Sequence, residues 1–399
     1  MKILHIVGGS PLSGAYKGAF ILHQALINKN IDSTILNDCP EYFKVKDKNV
    51  NYINEYFLKK ILNLTYIFIE KFIKTIFLKS PRSIFTIGVF GFDITKIPQY
   101  READIVHIHW LSQGFIKLKS LKKIKKPIVW TMRDMWPFTG GPHYTIDFEG
   151  YEKKFLSKVL SNYKKKIYKK NIQFIAISNW LKLQAEESDV LSNFKIKKIN
   201  NNIDIKEFEL LEKEHAKSYL KIKTNKKIIL FGAQNPQSKR KGWNIFIETI
   251  KKIDKSKYFI LIFGSFWSHK ILNKIGIEYL SLGFIDDKKK LNAAYCSSDL
   301  FLFASIQEAF GKTYAEAMAC QTPVICFKNT CASELINHKI DGYVVDKINS
   351  NELKIGIEWM TKKIEEKNYS NKSARQKVIK FNAENIAKKY IDLYSSILK

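Results

Sequence analysis

Apolar residues recur along this chain in two alternating rhythms. Ile3 to Val7, within "MKILHIVGG", is a short apolar run, and a Gly/Ser/Pro loop, "GGSPLSGAYKG", follows it. Next, "AFILHQALINKN" places apolar residues at the spacing of one helix face, and "DSTILN" reads as a second strand. Strand, glycine loop, helix, strand is a βαβ opening whose loop amides can face an anion. "ADIVHIHWL", "KPIVWTM" and "IQFIAIS" are further apolar runs of strand length, separated by helical patterns. Such alternation predicts a parallel, doubly wound sheet.

The rhythm then restarts. "KKIILFGAQ" reads as a strand, "GWNIFIETIKKI" as a helix, and "YFILIFGS" and "LFLFAS" as strands. "TYAEAMAC" is a helix, and "PVICF" is a strand ended by a turn. The joint lies near "INNNIDIKEF". The expected class is α/β, with two Rossmann-like parallel-sheet domains facing a cleft at the carboxyl ends of their strands. Length agrees, since 399 residues exceed the roughly 250–300 at which one core stops growing. No internal repeat or low-complexity tract appears.

One stretch falls outside this alternation. "YINEYFLKKILNLTYIFIEKFIKTIFLK" predicts a basic amphipathic helix over residues 52–79, rich in Tyr and Phe. It either packs on the N-terminal sheet or lies in an anionic membrane surface, aromatics inserted and lysines at the headgroups. "EKKFLSKVLSNYKKKIYKK", from Glu152 to Lys170, is a second candidate for such a surface helix, against the reading of a solvated helix face.

The net charge of +29 attracts anionic partners: nucleic acid, acidic lipid or phosphorylated substrates. Lysine, isoleucine and asparagine are abundant together, so compositional bias supplies part of it. No helix-turn-helix, zinc or RNP pattern is present, and nucleic acid is not an expected partner. The first strand is too short for a signal peptide, and no apolar run approaches the roughly 20 residues of a membrane span. Cys39, Cys296, Cys320, Cys326 and Cys331 are odd in number and match no disulfide or zinc spacing. They read as small buried apolar residues in a reducing compartment. The expected location is the cytoplasm, with the inner face of the plasma membrane as a docking surface.

The candidate chemistry centres on "SIQEAFGKTYAEAMACQTPVI", where Glu308 and Glu316 bracket a glycine turn after an apolar strand. In one reading Thr313 caps the helix and Glu316, three residues later, completes a capping box. In the other, Glu308 and the amides of Phe310, Gly311 and Lys312 surround a helix N-terminus, which favours a diphosphate. Two acids flanking an anion site suit a sugar on one side and a ribose on the other.

This E-x₇-E resembles the donor-site signature of the retaining GT-B glycosyltransferases often called family 4, in a bacterial surface-polysaccharide branch. "MKILHIV", "KPIVWTMRDMWPFTGGPHY", "FIAISNWL", "ILFGAQNPQSKRKGW" and "LGFIDDKKKLNAAYCSSDLFLFAS" extend the resemblance over nearly the whole chain. It implies that Glu308 holds donor-sugar hydroxyls and Glu316 the ribose, with Phe310, Gly311, Lys312 and Thr313 at the diphosphate. Lys241 in "KRKGW" would contact the departing diphosphate, with Arg240 the arginine available there, and Gly14 would approach the phosphates. Members place a histidine where this chain has Arg133 in "TMRD"; His143 or Asp134 is the substitute near the reacting centre. Pro142 stands where the branch reads "GGCHY", which disfavours a metal or cysteine cluster there.

The resemblance implies an acceptor-side domain over 1–204, a nucleotide-sugar donor domain over 205–380, and a helix over 381–399 crossing back to the first. It implies transfer of a sugar from a nucleotide-diphosphate sugar to a hydroxyl of a growing polysaccharide or lipid-linked glycan, with retention. No D-x-D pair occurs, so lysine and a helix dipole are expected in place of a metal, with no cofactor beyond the donor. The competing readings are a nucleotide-sugar 2-epimerase or phosphorylase, a non-catalytic GT-B protein that binds a glycan or partner, and a basic nucleic-acid binder.

Overall fold

A computed structural model describes residues 1–39, 45–53, 57–78, 84–111, 114–148, 150–232, 238–265, 269–366 and 369–399. The chain forms two compact units, Met1–Asn202 with Ala383–Lys399, and Ile203–Asn382.

In the first unit β1 (Lys2–Val7), β2 (Asp32–Asn37), β3 (Val50–Tyr52), β4 (Ile105–Trp110), β5 (Ile128–Met132), β6 (Ile172–Ala176) and β7 (Lys197–Lys198) form one sheet. Its order is β3-β2-β1-β4-β5-β6-β7, with every pairing parallel. The helices before the second unit are α1 (Gly14–Ile27), α2 (Phe57–Leu78), α3 (Pro98–Glu102), α4 (Phe155–Ile167) and α5 (Asn179–Glu186).

The second unit contains β8 (Lys227–Gly232), β9 (Tyr258–Phe263), β10 (Tyr279–Ser281), β11 (Leu300–Phe303), β12 (Val324–Phe327) and β13 (Gly342–Val345). These pair in parallel in the order β10-β9-β8-β11-β12-β13. Its helices are α6 (Lys213–Tyr219), α7 (Trp243–Ile250), α8 (His269–Leu272), α9 (Lys288–Cys296), α10 (Lys312–Ala319), α11 (Ser350–Glu365) and α12 (Lys372–Ile379). The final helix, α13 (Ala383–Leu398), belongs to the first unit.

The strand orders locate the sites. Each sheet reverses its direction of winding once, between β1 and β4 and between β8 and β11, and loops at the carboxyl ends of such neighbours diverge to leave a crevice. In the second unit the loop after β11 carries Glu308, and the segment after β8 leads to Lys241. The central strands are apolar and buried on both faces, as parallel sheets between helices require. Helix α13 closes the first core: Ile386, Tyr390, Leu393 and Tyr394 pack with Ile3, Leu22, Leu26 and Val129.

Two expectations change. Residues 50–52 form the edge strand β3, and the amphipathic helix begins only at Phe57; residues 54–56 and 79 lie outside the described ones. Helix α2 packs on the segment 85–92 and on Gly114. Its buried Glu70 accepts the amides of Ile87 and Gly88, both at 3.1 Å, and Tyr66 contacts Phe90 and Phe92. Facing outward, Ile61, Leu64, Phe68, Phe72 and Ile76 are exposed by 45 to 69% and recur at helical spacing. The second correction concerns α4, whose lysines do not all lie on a solvated face. Lys164 is buried over the Trp136 ring and donates to the Trp136 and Thr139 carbonyls.

Candidate active site

Strand β11, "LFLF", is fully buried, and the chain leaves it through a loop that ends at Gly311. Gly311 has φ +70°, and a Cβ there would lie 2.7 Å from the Phe303 ring and 3.1 Å from Glu308 Cγ. Glycine is therefore required by conformation and by space. Gly311 is itself the N-cap of α10 and supplies no side-chain cap, so Thr313 lies inside the first turn. The capping box does not form. The Glu316 carboxylate instead accepts the Tyr295 hydroxyl at 2.9 Å. Phe310 turns its ring into the core against Tyr314 and Phe381, so only its backbone can serve the helix start.

Glu308 accepts from Arg240 Nη1 at 2.7 Å and from Lys241 Nζ. The turn Lys239–Lys241 is held against the exit of β11. Gly242, at φ +69°, packs so closely that a Cβ would sit 2.0 Å from the Ala304 carbonyl oxygen. The Ile306 amide donates to the Arg240 carbonyl at 2.7 Å, joining the two loops. Glu308 is 13% exposed. Burial alone would raise its pKa, but Lys241 and Arg240 outweigh it and hold the carboxyl at about 2. Burial lowers the Lys241 pKa, with Arg240 adding to it and Glu308 opposing.

Across the first turns of α10, burial raises the pKa of Glu316, while Lys312, Tyr295 and Lys288 lower it. Lys288 is also paired with Glu207. The positive end of the α10 dipole lies at its first turn. Lys241 and Arg240 thus meet Glu308 on the loop that leads into α10, and Glu316 lies further along that helix. This arrangement can hold a diphosphate and accept hydroxyl hydrogen bonds. The residues that the sequence singled out in the second unit, Arg240, Lys241, Glu308, Phe310, Gly311, Lys312, Thr313 and Glu316, fall in this one neighbourhood. Tyr295 was not among them; "NAAYCSSD" gives it no pattern, and only folding brings α9 beside α10.

The first unit's candidates separate into three places. Gly14 starts α1, and a Cβ there would meet nothing within 4 Å, so no steric reason demands glycine. Asp134 and His143 are joined at 2.6 Å, and His143 Nε2 is bonded to Thr86 at 2.8 Å. Asp134 also accepts Trp110 Nε1 at 2.6 Å and the Trp136 amide at 2.9 Å. Both side chains are buried, with these internal partners.

Arg133 is buried elsewhere. It donates to Asn201 Oδ1 at 2.5 Å and to His109 Nδ1 at 3.0 Å, while its Nε has no partner. Burial lowers its pKa to about 10, against the influence of Tyr390 and Tyr394, and leaves it charged at neutral pH. Behind it His109 meets His5 at 2.9 Å, and His107 bridges Tyr394 at 2.6 Å and Thr131 at 2.7 Å. Burial, then neighbouring charge, holds all three imidazoles well below their usual pKa, so they are neutral.

Nitrogen atoms of His5, His107 and His109 lie within 4.8 Å of one another, a spacing that a metal could use. The fit is poor. His107 spends both nitrogens on hydroxyls, His109 spends both on His5 and Arg133, and a guanidinium beside the trio repels a cation. The group is a neutral hydrogen-bonded support for Arg133. Histidines at 5, 107 and 109 within apolar strands were the available signal, and reading those strands simply as buried passed over it.

A family model for glycosyl transferases group 1 matches residues 212–377, and one for glycosyltransferase family 4 matches residues 13–207. An uncharacterised 41.2 kDa protein in the cps region of Klebsiella pneumoniae is 27% identical over 286 residues, 70% of this chain and 75% of that one. A glycosyltransferase structure from Rickettsia africae aligns over 100% of this chain and 98% of its own, at TM-score 0.71 and 20% identity. Anabaena HepE in complex with UDP and glucose aligns over 99% and 100%, at TM-score 0.66 and 17% identity. At these identities the structural likeness is one of fold.

Proposed function

The chain belongs to the GT-B glycosyltransferases of group 1, which move a sugar from a nucleotide sugar, and we propose that it builds a surface polysaccharide or lipid-linked glycan with retention and without a metal. The observation that supports this reading most is Glu308, held by Arg240 and Lys241 beside the start of α10, with Glu316 and Tyr295 one turn further on. The cps-region relative points toward a polysaccharide, and HepE with bound UDP and glucose points toward UDP as the first nucleotide to try.

In the proposed reaction the bond from sugar C1 to the diphosphate oxygen breaks, and a bond from C1 to the acceptor oxygen forms on the same face. The acceptor proton leaves with the diphosphate. Charge grows on that diphosphate, which Lys241, Arg240 and the first turn of α10 would stabilise. With a pKa of about 2, Glu308 is ionised near neutral pH. It therefore acts as an acceptor for sugar hydroxyls and as a negative neighbour for an oxocarbenium-like ring, not as a proton donor. Glu316 keeps acceptor capacity for a ribose beyond its bond from Tyr295.

A chelator-treated preparation incubated with nucleotide sugars, with and without glycan acceptors, tests the reading. Acceptor-dependent release of the nucleoside diphosphate, with an unchanged anomeric configuration by NMR, supports transfer. Epimerised donor without acceptor indicates a 2-epimerase, phosphate-dependent release a phosphorylase, and binding without turnover a non-catalytic protein.

The outward stripe of α2 supports a membrane-side location for the same chemistry. Phe68 and Phe72 stack at 6.4 Å on that stripe, and Lys71 beside them is exposed. Apolar side chains with flanking lysines suit an anionic bilayer interface, and a lipid-linked acceptor would be met there.

A further inference from the structure

Cys296 ends α9, and Cys320 caps the C-terminus of α10. Their thiols share one acceptor: Asn292 Oδ1 lies 3.1 Å from Cys320 Sγ and 3.7 Å from Cys296 Sγ. Cys296 is partly exposed, whereas Cys320 is buried at 7%. Both helix ends touch Glu316. Tyr295, next to Cys296, donates to its carboxylate at 2.9 Å, and the Cys320 amide donates to its carbonyl at 3.0 Å.

We infer that Cys296 and Cys320 are a redox pair that closes to a disulfide under peroxide and thereby shifts Glu316 and weakens nucleotide binding. The first part stands on the thiols alone; the second rests on the proposed role of Glu316. The environments divide the labour. The Cys320 thiol lowers the pKa of Cys296, as do the Leu211 amide and Arg375, while burial opposes them. Burial pushes the Cys320 thiol up. The partly exposed sulfur is the attacking one, and the sheltered neighbour resolves it.

The step balances. Cys296 thiolate attacks peroxide oxygen, giving a sulfenic acid and one water. The Cys320 sulfur then displaces the hydroxyl as a second water, and the two sulfurs join. Two thiols are oxidised and one peroxide is reduced. Closure draws the ends of α9 and α10 together and moves both groups that hold Glu316.

The test uses the full chain, treated with stoichiometric hydrogen peroxide, quenched with iodoacetamide and mapped by mass spectrometry. The expected result is loss of two hydrogens and a peptide linked through 296 and 320, reversed by dithiothreitol and absent in Cys296→Ser. Carbamidomethylated Cys296 and Cys320 with no linked peptide, or a link to another cysteine, would overturn the pair. UDP affinity is then compared for oxidised and reduced wild type, with several-fold weakening on oxidation expected. Equal affinity overturns the coupling to Glu316. If neither form binds UDP, GDP or ADP, the proposed function is what fails, and the mapped disulfide still stands.

Discussion

The amide of Ile306 donates to the carbonyl of Arg240 at 2.7 Å. This bond, with Gly242 pressed on Ala304, places the side chains of Arg240 and Lys241 on Glu308. Two loops far apart in sequence thus deliver one carboxylate and two cations to the start of α10.

Glu308→Gln keeps the shape and removes the charge. Turnover should fall at least ten-fold, on the scale of about 1.5–3 kcal/mol for hydrogen bonds to charged groups. Affinity for the nucleoside diphosphate should be kept or strengthened, since Lys241 and Arg240 lose their internal competitor. Steady-state kinetics beside calorimetric titration separates the two effects.

Acid stability carries the same signature. The folded-state pKa of Glu308, about 2, lies below its ordinary 4.5. The stabilisation is therefore complete above pH 4.5 and is lost as pH falls through about 2. At pH 7 the wild type should be more stable than Glu308→Gln, because its ionised carboxylate pairs with Lys241 and Arg240. Urea denaturation at pH 7 and at pH 3 checks that this gap narrows in acid.

Gly242→Ala should be among the costlier methyl additions in the second unit. It meets a backbone carbonyl at 2.0 Å and keeps a left-handed φ of +69°, so neither side can yield cheaply. A loss of about 2 kcal/mol or more is expected. Thermal unfolding measures it, and activity should fall further because Lys241 moves.

Helix α2 should bind vesicles containing anionic lipid and release them as salt rises. Phe68→Ser with Phe72→Ser should lower co-sedimentation while leaving the fold intact, because both rings face outward, at 69 and 58% exposure. Equal binding by the double variant would remove α2 as the contact.

Much of this was legible in order and spacing. The apolar runs named the central strands, and "EAFGKTYAE" named the turn that carries Glu308 and Glu316. The short edge strands "VNY", "KK", "YLS" and "GYVV" were not legible, since so few residues show no period. Thr313 and Glu316 show local rules yielding to tertiary partners. Their spacing fits a capping box, yet Gly311 takes the cap and Tyr295, on a neighbouring helix, takes the carboxylate. Lys164 and Arg133 make the same point for charge, because partners distant in sequence allow both to be buried.

The most direct measurement is calorimetric affinity for a nucleoside diphosphate, taking whichever of UDP, GDP or ADP the wild type binds, in Lys241→Ala and Glu316→Ala. Roughly ten-fold or greater weakening in each is predicted, from a lost charge-assisted contact to phosphate and to ribose. Wild-type affinity in both variants would contradict a nucleotide seated at the start of α10.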